Sequence, residues 1–262
     1  MELEQITGKV IEIAKAAGAF IREQRTTFTA DKIELKGLND LVSYVDKTAE
    51  VQIVAALQNI LPGAGFITEE KTINKTGERY NWIIDPLDGT TNFIHGLPVY
   101  SVSIALQEFD ELVAGVVYEI NQDECFYAWK DSPAYLNSRE IKVSATPTIE
   151  KSLLATGFPY YDFKKQPAYI ELFTELMRKC HGLRRLGSAA VDLAYTACGR
   201  FDGYYEYNLN AWDVAAGIVI VRQAGGEVVN FKGGDETLNT RELLATNGKI
   251  TAEMLKTIEK YF

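Results

Sequence analysis

Apolar residues at Leu3, Ile6, Val10, Ile13, Ala14, Ala17 and Ile21 recur at the spacing of one helical face, which predicts a long amphipathic helix over about 2–27. A second helix starts at Asp46 with Ala49, Ile53, Val54, Leu57 and Ile60 on its buried side, and Pro62-Gly63 stops it. Between them, 31–39 turns polar with Lys32, Lys36 and Gly37, a mobile loop or loose hairpin. The period then changes. After strand-like runs at 66–68 and 82–84, the segments 101–107, 112–119 and 124–129 alternate apolar with polar or small residues, the pattern of an antiparallel meander. A hairpin around Asn137-Ser138 extends it over 135–143. Beyond this the chain alternates strands at 152–156, 183–186 and 203–207 with helices at 165–180, 188–198 and 212–224. Strands at 227–229 and 243–245 and a helix from about 250 follow, and the rhythm is that of an α/β layer. The expected class is therefore α/β: an α+β half over 1–146 and an α/β half over 147–262, with a boundary near Pro147 that no low-complexity linker marks.

The chemistry concentrates in 81–98, NWIIDPLDGTTNFIHGLP. Trp82, Ile83 and Ile84 form strands readily, and Pro86 biases its predecessor toward extended backbone, so Asp85 is placed at a strand's end. Asp88 follows three positions later, and Gly89, Thr90, Thr91 and Asn92 suit a tight turn that opens a helix with free backbone N–H groups. Such a helix start favours an anion. Carboxylates and an anion repel one another unless hard cations lie between them, so the spacing points to Mg2+ bridging protein oxygens and a phosphate, and to a metal-dependent phosphatase.

Composition narrows this further. A net charge of -9 argues against a nucleic-acid surface, since clustered Lys and Arg hold phosphate backbones. Cys125, Cys180 and Cys198 have no C-x-x-C spacing, which fits a reducing cytoplasm rather than a disulfide framework. Glu2, Glu4 and Glu12 are unlike a secretory signal, and no uncharged apolar run approaches the ~20 residues of a membrane span, so no membrane partner is expected. His95 and His181 are not spaced as a zinc pair. The signatures of nucleotide kinases, dinucleotide enzymes and serine hydrolases are missing from the sequence.

At D-P-L-D-G-T-T-N the chain resembles the inositol monophosphatase family. DLVSYVDKTAE at 40–50, FITEE at 66–70 and WDVAAG at 212–217 agree in the family's order, with one departure: Thr68 stands where the family usually has Gly. The resemblance implies a layered αβαβα sandwich, a lithium-sensitive homodimer, two or three Mg2+ ions per site and a small phosphate ester as substrate. It also implies that Glu69, Asp85 and the Leu87 carbonyl hold one ion, and that Asp85, Asp88 and Asp213 hold a second ~4 Å away. By the same resemblance Thr90, polarised by Asp46, orients the attacking water together with Glu69. The N–H groups of Gly89, Thr90 and Thr91 cradle the phosphate, and Glu206 accepts a bond from a substrate hydroxyl. Gly187, Ser188 and Ala189 begin another helix facing the cleft, and Lys36 assists from the 31–39 segment. Taken alone, Asp46 and Asp213 read as helix caps. Arg184 and Arg185 either bind a second phosphate or pair with surface carboxylates.

By resemblance of DGTTNF and Glu206 to the inositol type, the expected substrate is myo-inositol 1-phosphate, with fructose 1,6-bisphosphate next and other sugar or nucleotide phosphates after it. An aspartyl-phosphate mechanism fits poorly, because its D-x-D-G-T spacing differs from the two residues between Asp85 and Asp88. The remaining alternative is a metal-binding regulatory protein that has kept the fold without turnover.

Overall fold

The structure, a computed structural model, describes residues 2–29, 33–37, 40–159 and 163–262, with only the backbone described over 33–37 and 40–42. The meander forms one seven-stranded sheet, in the order β3 (Gly65–Thr68), β4 (Tyr80–Asp88), β5 (Ser101–Glu108), β6 (Glu111–Glu119), β7 (Glu124–Trp129), β8 (Ala134–Leu136), β9 (Arg139–Ile141). Neighbours pair antiparallel except β3 with β4. Asn137 and Ser138 both take positive φ between β8 and β9, as a two-residue hairpin turn requires. The segment expected as a loop or hairpin pairs as one, β1 (Ile33–Gly37) against β2 (Asp40–Ser43).

The alternating second half builds a five-stranded sheet, β11 (Gly182–Arg184), β10 (Leu153–Thr156), β12 (Gly203–Tyr207), β14 (Glu242–Thr246) and β13 (Glu227–Val229). Parallel pairing of β10 with β11 and β12 follows from the helical crossovers between them. β14 then joins antiparallel to β12 and β13.

Five layers result. Helices α1 (Leu3–Thr27) and α2 (Tyr44–Ile60) cover one face of the larger sheet, their Ile6, Val10, Ile21, Ile53 and Leu57 packing with Trp82, Ile84, Val102 and Val116. On its other face Ile83, Ala105 and Val117 meet α5 (Ala189–Ala197) and α6 (Ala211–Gln223), which also receive Ala155, Tyr204, Leu243 and Ala245 from the smaller sheet. The alternate strand residues Leu154, Tyr205, Tyr207 and Leu244 face the outer helices α4 (Gln166–Lys179) and α8 (Thr251–Ile258). α6 lies between two sheets, so its residues 214–221 are all buried and it shows no polar face. Its approach is close: a Cβ on Gly217 would stand 2.5 Å from Leu193, and one on Gly115 of β6 would stand 2.5 Å from the Ala216 carbonyl oxygen. The remaining helices are short, α3 (Thr90–His95) after β4 and α7 (Thr237–Thr240) before β14.

Two sequence expectations need correction. β4 does not end at Asp85 but runs to Asp88, because the ladder with β5 shifts register between Asp85↔Ser103 and Asp88↔Ser101. Three residue steps on β4 span two on β5, and this irregularity accommodates Pro86, which has no N–H to donate. β11 also stops at Arg184, two residues before the expected end at 186.

Candidate active site

The register shift places Asp85, Leu87 and Asp88 on one wall of a cavity of about 440 Å3 between the two sheets. Gly89 turns the chain at φ 97 into α3. Any side chain there would be strained and would press on the Val99 and Gly187 carbonyls, 3.0 and 3.3 Å from a Cβ. Gly89, Thr90 and Thr91 line the cavity as the helix begins.

Thr90 is anchored from below. Its hydroxyl donates to Asp46 Oδ1 at 2.7 Å, with the Leu87 carbonyl at 3.0 Å. Asp46 is not the cap of α2, as the isolated sequence suggested. Ser43 is the cap, and Asp46, three residues on, accepts from the Ser43 N–H at 2.8 Å and hydroxyl at 2.6 Å. The capping box therefore fixes the carboxylate that holds Thr90. Burial pushes the Asp46 carboxyl above its ordinary range, against these hydrogen bonds.

Glu69 follows β3 in a loop fixed by a residue the sequence reading missed. Buried Glu50, one helical turn after Asp46, accepts from the N–H groups of Glu70 and Thr72 at 2.7 and 2.8 Å and from the Thr72 hydroxyl at 2.7 Å. Its four-residue spacing from Asp46 was the available signal. Thr68, the departure from the family pattern, ends β3 outside the left-handed region, so this backbone does not demand Gly. Its hydroxyl oxygen is buried without a hydrogen-bond partner among the described residues.

The second sheet and its helices supply the opposite wall. Asp88 Oδ2 accepts from the Ser188 hydroxyl at 2.5 Å and the Ala190 N–H at 2.7 Å, tying β4 to the start of α5. Asn92 of α3 donates to the Leu186 carbonyl at 2.8 Å and strengthens the same junction. Asp213 is likewise not a cap: Asn210 is, and Asp213 accepts from its N–H at 2.6 Å. A further residue the sequence reading missed, Arg241, donates to the carbonyls of Leu209 and Asn208 at 2.8 and 3.1 Å, pinning the turn that carries Asp213.

Glu69, Asp85, Asp88 and Asp213 all line the cavity. Asp85 is 2% exposed, and burial, then the charges of Glu69, Asp88 and Asp213, push its carboxyl well above the ordinary range. Burial raises Asp213 to about 8 and Asp88 to about 6, the latter against the bonds from Ser188 and Ala190. Such crowding is relieved by protons or by cations. Among the described residues no three His, Cys, Asp or Glu side chains close on one point, and Asp85 shares a hydrogen bond with Glu69. The four carboxyls thus share one cavity without meeting at a single point. The donor set is otherwise all carboxylate oxygen with the Leu87 carbonyl at hand, which fits hard cations such as Mg2+ that keep several waters, and not zinc.

Of the remaining expected residues, Gly187, Ser188, Ala189 and Glu206 line the same cavity. Glu206 rises to about 7 through burial, opposed by the Tyr204 hydroxyl bond. Both arginines are exposed, but they separate: Arg185 lines the cavity and its charge lowers the pKa of Asp88 and of Glu206, whereas Arg184 donates to the Leu183 carbonyl at 3.0 Å. The Lys36 side chain lies outside the described residues. Lys71 also lines the cavity and was not expected there. Among the described residues no helix is long and apolar enough to cross a membrane.

The family model described as "Inositol monophosphatase family" matches residues 2–261. An inositol-1-monophosphatase of Mesorhizobium japonicum is 37% identical over 252 residues, 96% of this chain and 95% of the relative. The protein named Nus factor SuhB of Haemophilus influenzae is 41% identical over 249 residues, 95% of this chain and 93% of its own. Among solved structures, the extragenic suppressor protein suhB of Bartonella henselae superposes with a TM-score of 0.93 at 37% identity, covering 98% of this chain and 100% of that one.

Proposed function

This chain belongs to the inositol monophosphatase family, and from that premise we propose that it hydrolyses a phosphate monoester with an activated water, myo-inositol 1-phosphate being the leading substrate. The observation that carries the reading is the convergence of Glu69, Asp85, Asp88 and Asp213 on the cavity that Gly89, Thr90 and Thr91 also line. Glu69, Asp85 and the Leu87 carbonyl would hold one Mg2+, and Asp85, Asp88 and Asp213 a second. When bound, the ions neutralise the phosphate and lower the pKa of a water in the site.

The protein's own groups do the positioning. Because Asp46 accepts the Thr90 proton, the Thr90 oxygen keeps its lone pairs for a hydrogen bond from the attacking water. Glu69 takes the second bond from that water. The N–H groups of Gly89, Thr90 and Thr91 cradle the phosphate oxygens, whose charge grows during the reaction. Glu206, away from the phosphorus, accepts a hydrogen bond from the alcohol portion.

A second reading, a regulatory role without turnover, draws support from relatives that bear the name Nus factor. Against it stands the retained Asp46, Glu69 and Thr90 set, with the Thr90 bond already made. Phosphate release from a panel of inositol, sugar and aryl esters, with Mg2+ and with EDTA, decides between them. Release that EDTA abolishes supports the phosphatase, and no release from any ester with saturating Mg2+ sinks it. Within the panel, preference for fructose 1,6-bisphosphate would displace inositol 1-phosphate as the substrate.

A further inference from the structure

Beyond the carboxylate crowd, the cavity wall carries polar atoms that the chemistry above leaves unused. Asp192, at the fourth position of α5, is 1% exposed and lines the cavity, and its Oδ1 is buried with no hydrogen-bond partner among the described residues. Asn208 lines the same cavity two residues after Glu206, with a buried Nδ2 that also lacks a partner among the described residues. Its backbone is held in the left-handed region at φ 68, and its own carbonyl is tied to Arg241. Glu206 uses Oε2 to accept from the Tyr204 hydroxyl at 2.5 Å, leaving Oε1 without a protein donor among the described residues. Asp192 and Glu206 feel each other's charge, so the two carboxyls share one region.

Buried polar atoms without partners are costly, and a cavity wall bearing both an orphaned acceptor and an orphaned donor is completed by ordered water or by a ligand that displaces the water and meets each group. An amine would satisfy the carboxyls but leave the Asn208 N–H unmet. A single hydroxyl has one proton to donate and cannot serve both carboxyls. Adjacent hydroxyls donate to Asp192 and Glu206 while one of them accepts from Asn208.

We propose that Asp192 and Asn208 complete, with Glu206, a subsite that grips at least two neighbouring hydroxyls of the alcohol portion of the substrate. The two residues thereby determine specificity for polyol phosphates over esters of simple alcohols or phenols. This inference rests on the phosphatase reading.

The test compares kcat/KM for myo-inositol 1-phosphate with kcat/KM for p-nitrophenyl phosphate, whose leaving group has no second hydroxyl, in saturating Mg2+. Asp192→Ala removes both carboxyl oxygens, and Asn208→Gly removes the amide while keeping the left-handed backbone. Each should lower the ratio of the two constants by about tenfold or more, through KM for the inositol ester, as loss of a hydrogen bond to a charged or buried group does. A ratio unchanged in both variants overturns the subsite, as does an equal fall for both esters accompanied by a lower melting temperature. The two variants lie on different elements, so failure of one to fold leaves the other to decide. If the wild-type protein releases phosphate from neither ester, the phosphatase reading has failed, and calorimetric titration with myo-inositol 1-phosphate in Mg2+ reads the subsite directly. Weaker binding to the variants then supports it, and equal or absent binding overturns it.

Discussion

Asp85 sits among the other carboxylates of the site. It is buried, and three other carboxylates push its pKa up. The folded chain therefore binds this proton more tightly than the unfolded chain does. Without metal, the stability Asp85 contributes is complete near its ordinary value of 3.8 and below, and is lost as pH rises through the raised value. Asp85→Asn cannot ionise and escapes that loss. In EDTA at about pH 8 the variant should melt above wild type, with the gap closing toward about pH 4. In Mg2+ its turnover should fall by ~10²-fold or more, since the proposed site loses the carboxylate assigned to both ions. Near-wild-type turnover of the purified variant would remove Asp85 from the centre of the mechanism.

Among the elements, α2 organises more of the site than its position behind the sheet suggests. One face of its first two turns presents Asp46 to Thr90 and Glu50 to the loop after β3. Through Glu50 the helix sets where Glu69 stands. Glu50→Ala removes three hydrogen bonds from that loop, and loss of a group that orients a metal ligand typically costs ~10- to 100-fold in metal affinity. The Mg2+ concentration for half-maximal phosphate release should therefore rise by roughly that factor, while kcat at saturating Mg2+ falls less. An unchanged Mg2+ dependence would reduce Glu50 to a purely structural role. The register shift in β4 is the companion device, since it brings Asp85, Leu87 and Asp88 to a single wall where a regular strand would alternate them across two faces.

At the scale of the whole molecule, the site lies where two sheets and their shared helical layer meet, so its charges couple to global stability. Asp88 at about 6, Asp213 at about 8 and Asp85 raised well above 3.8 all bind protons more tightly folded than unfolded. Metal-free stability from these groups is fully present below their ordinary value and declines as pH rises through 6 and 8. Bound as proposed, Mg2+ would compete with those protons, since a metal takes the ionised carboxylate. The rise in melting temperature on adding Mg2+ should accordingly grow from acidic to alkaline pH. Scanning calorimetry with Mg2+ and with EDTA across that range checks this, and an increment independent of pH would mean that the ions do not replace protons at these carboxylates.

What the sequence determined by itself was chiefly local. Amphipathic period, the alternating meander and the 81–98 stretch carry their meaning within a few residues, because a helical face, a strand and a turn are set by near neighbours. The carboxylates of D-P-L-D and the turn of G-T-T-N could therefore be read directly, and the family motifs added Glu69, Glu206 and Asp213 to the same site. Other features depend on segments brought together from far along the chain. Whether Arg184 or Arg185 faces the cavity follows from how β11 ends beside β10, and adjacent residues in extended backbone point to opposite sides. Asp88 meets Ser188 and Ala190 across one hundred residues, and Arg241 reaches Leu209 and Asn208 only because β14 pairs with β12. Asp192 had only a weak local signal, as the one charged residue in the small apolar helix α5. Its unpartnered oxygen becomes significant only once α5 packs against the strand that carries Glu206, since strand order and crossover path decide which distant side chains share a cavity.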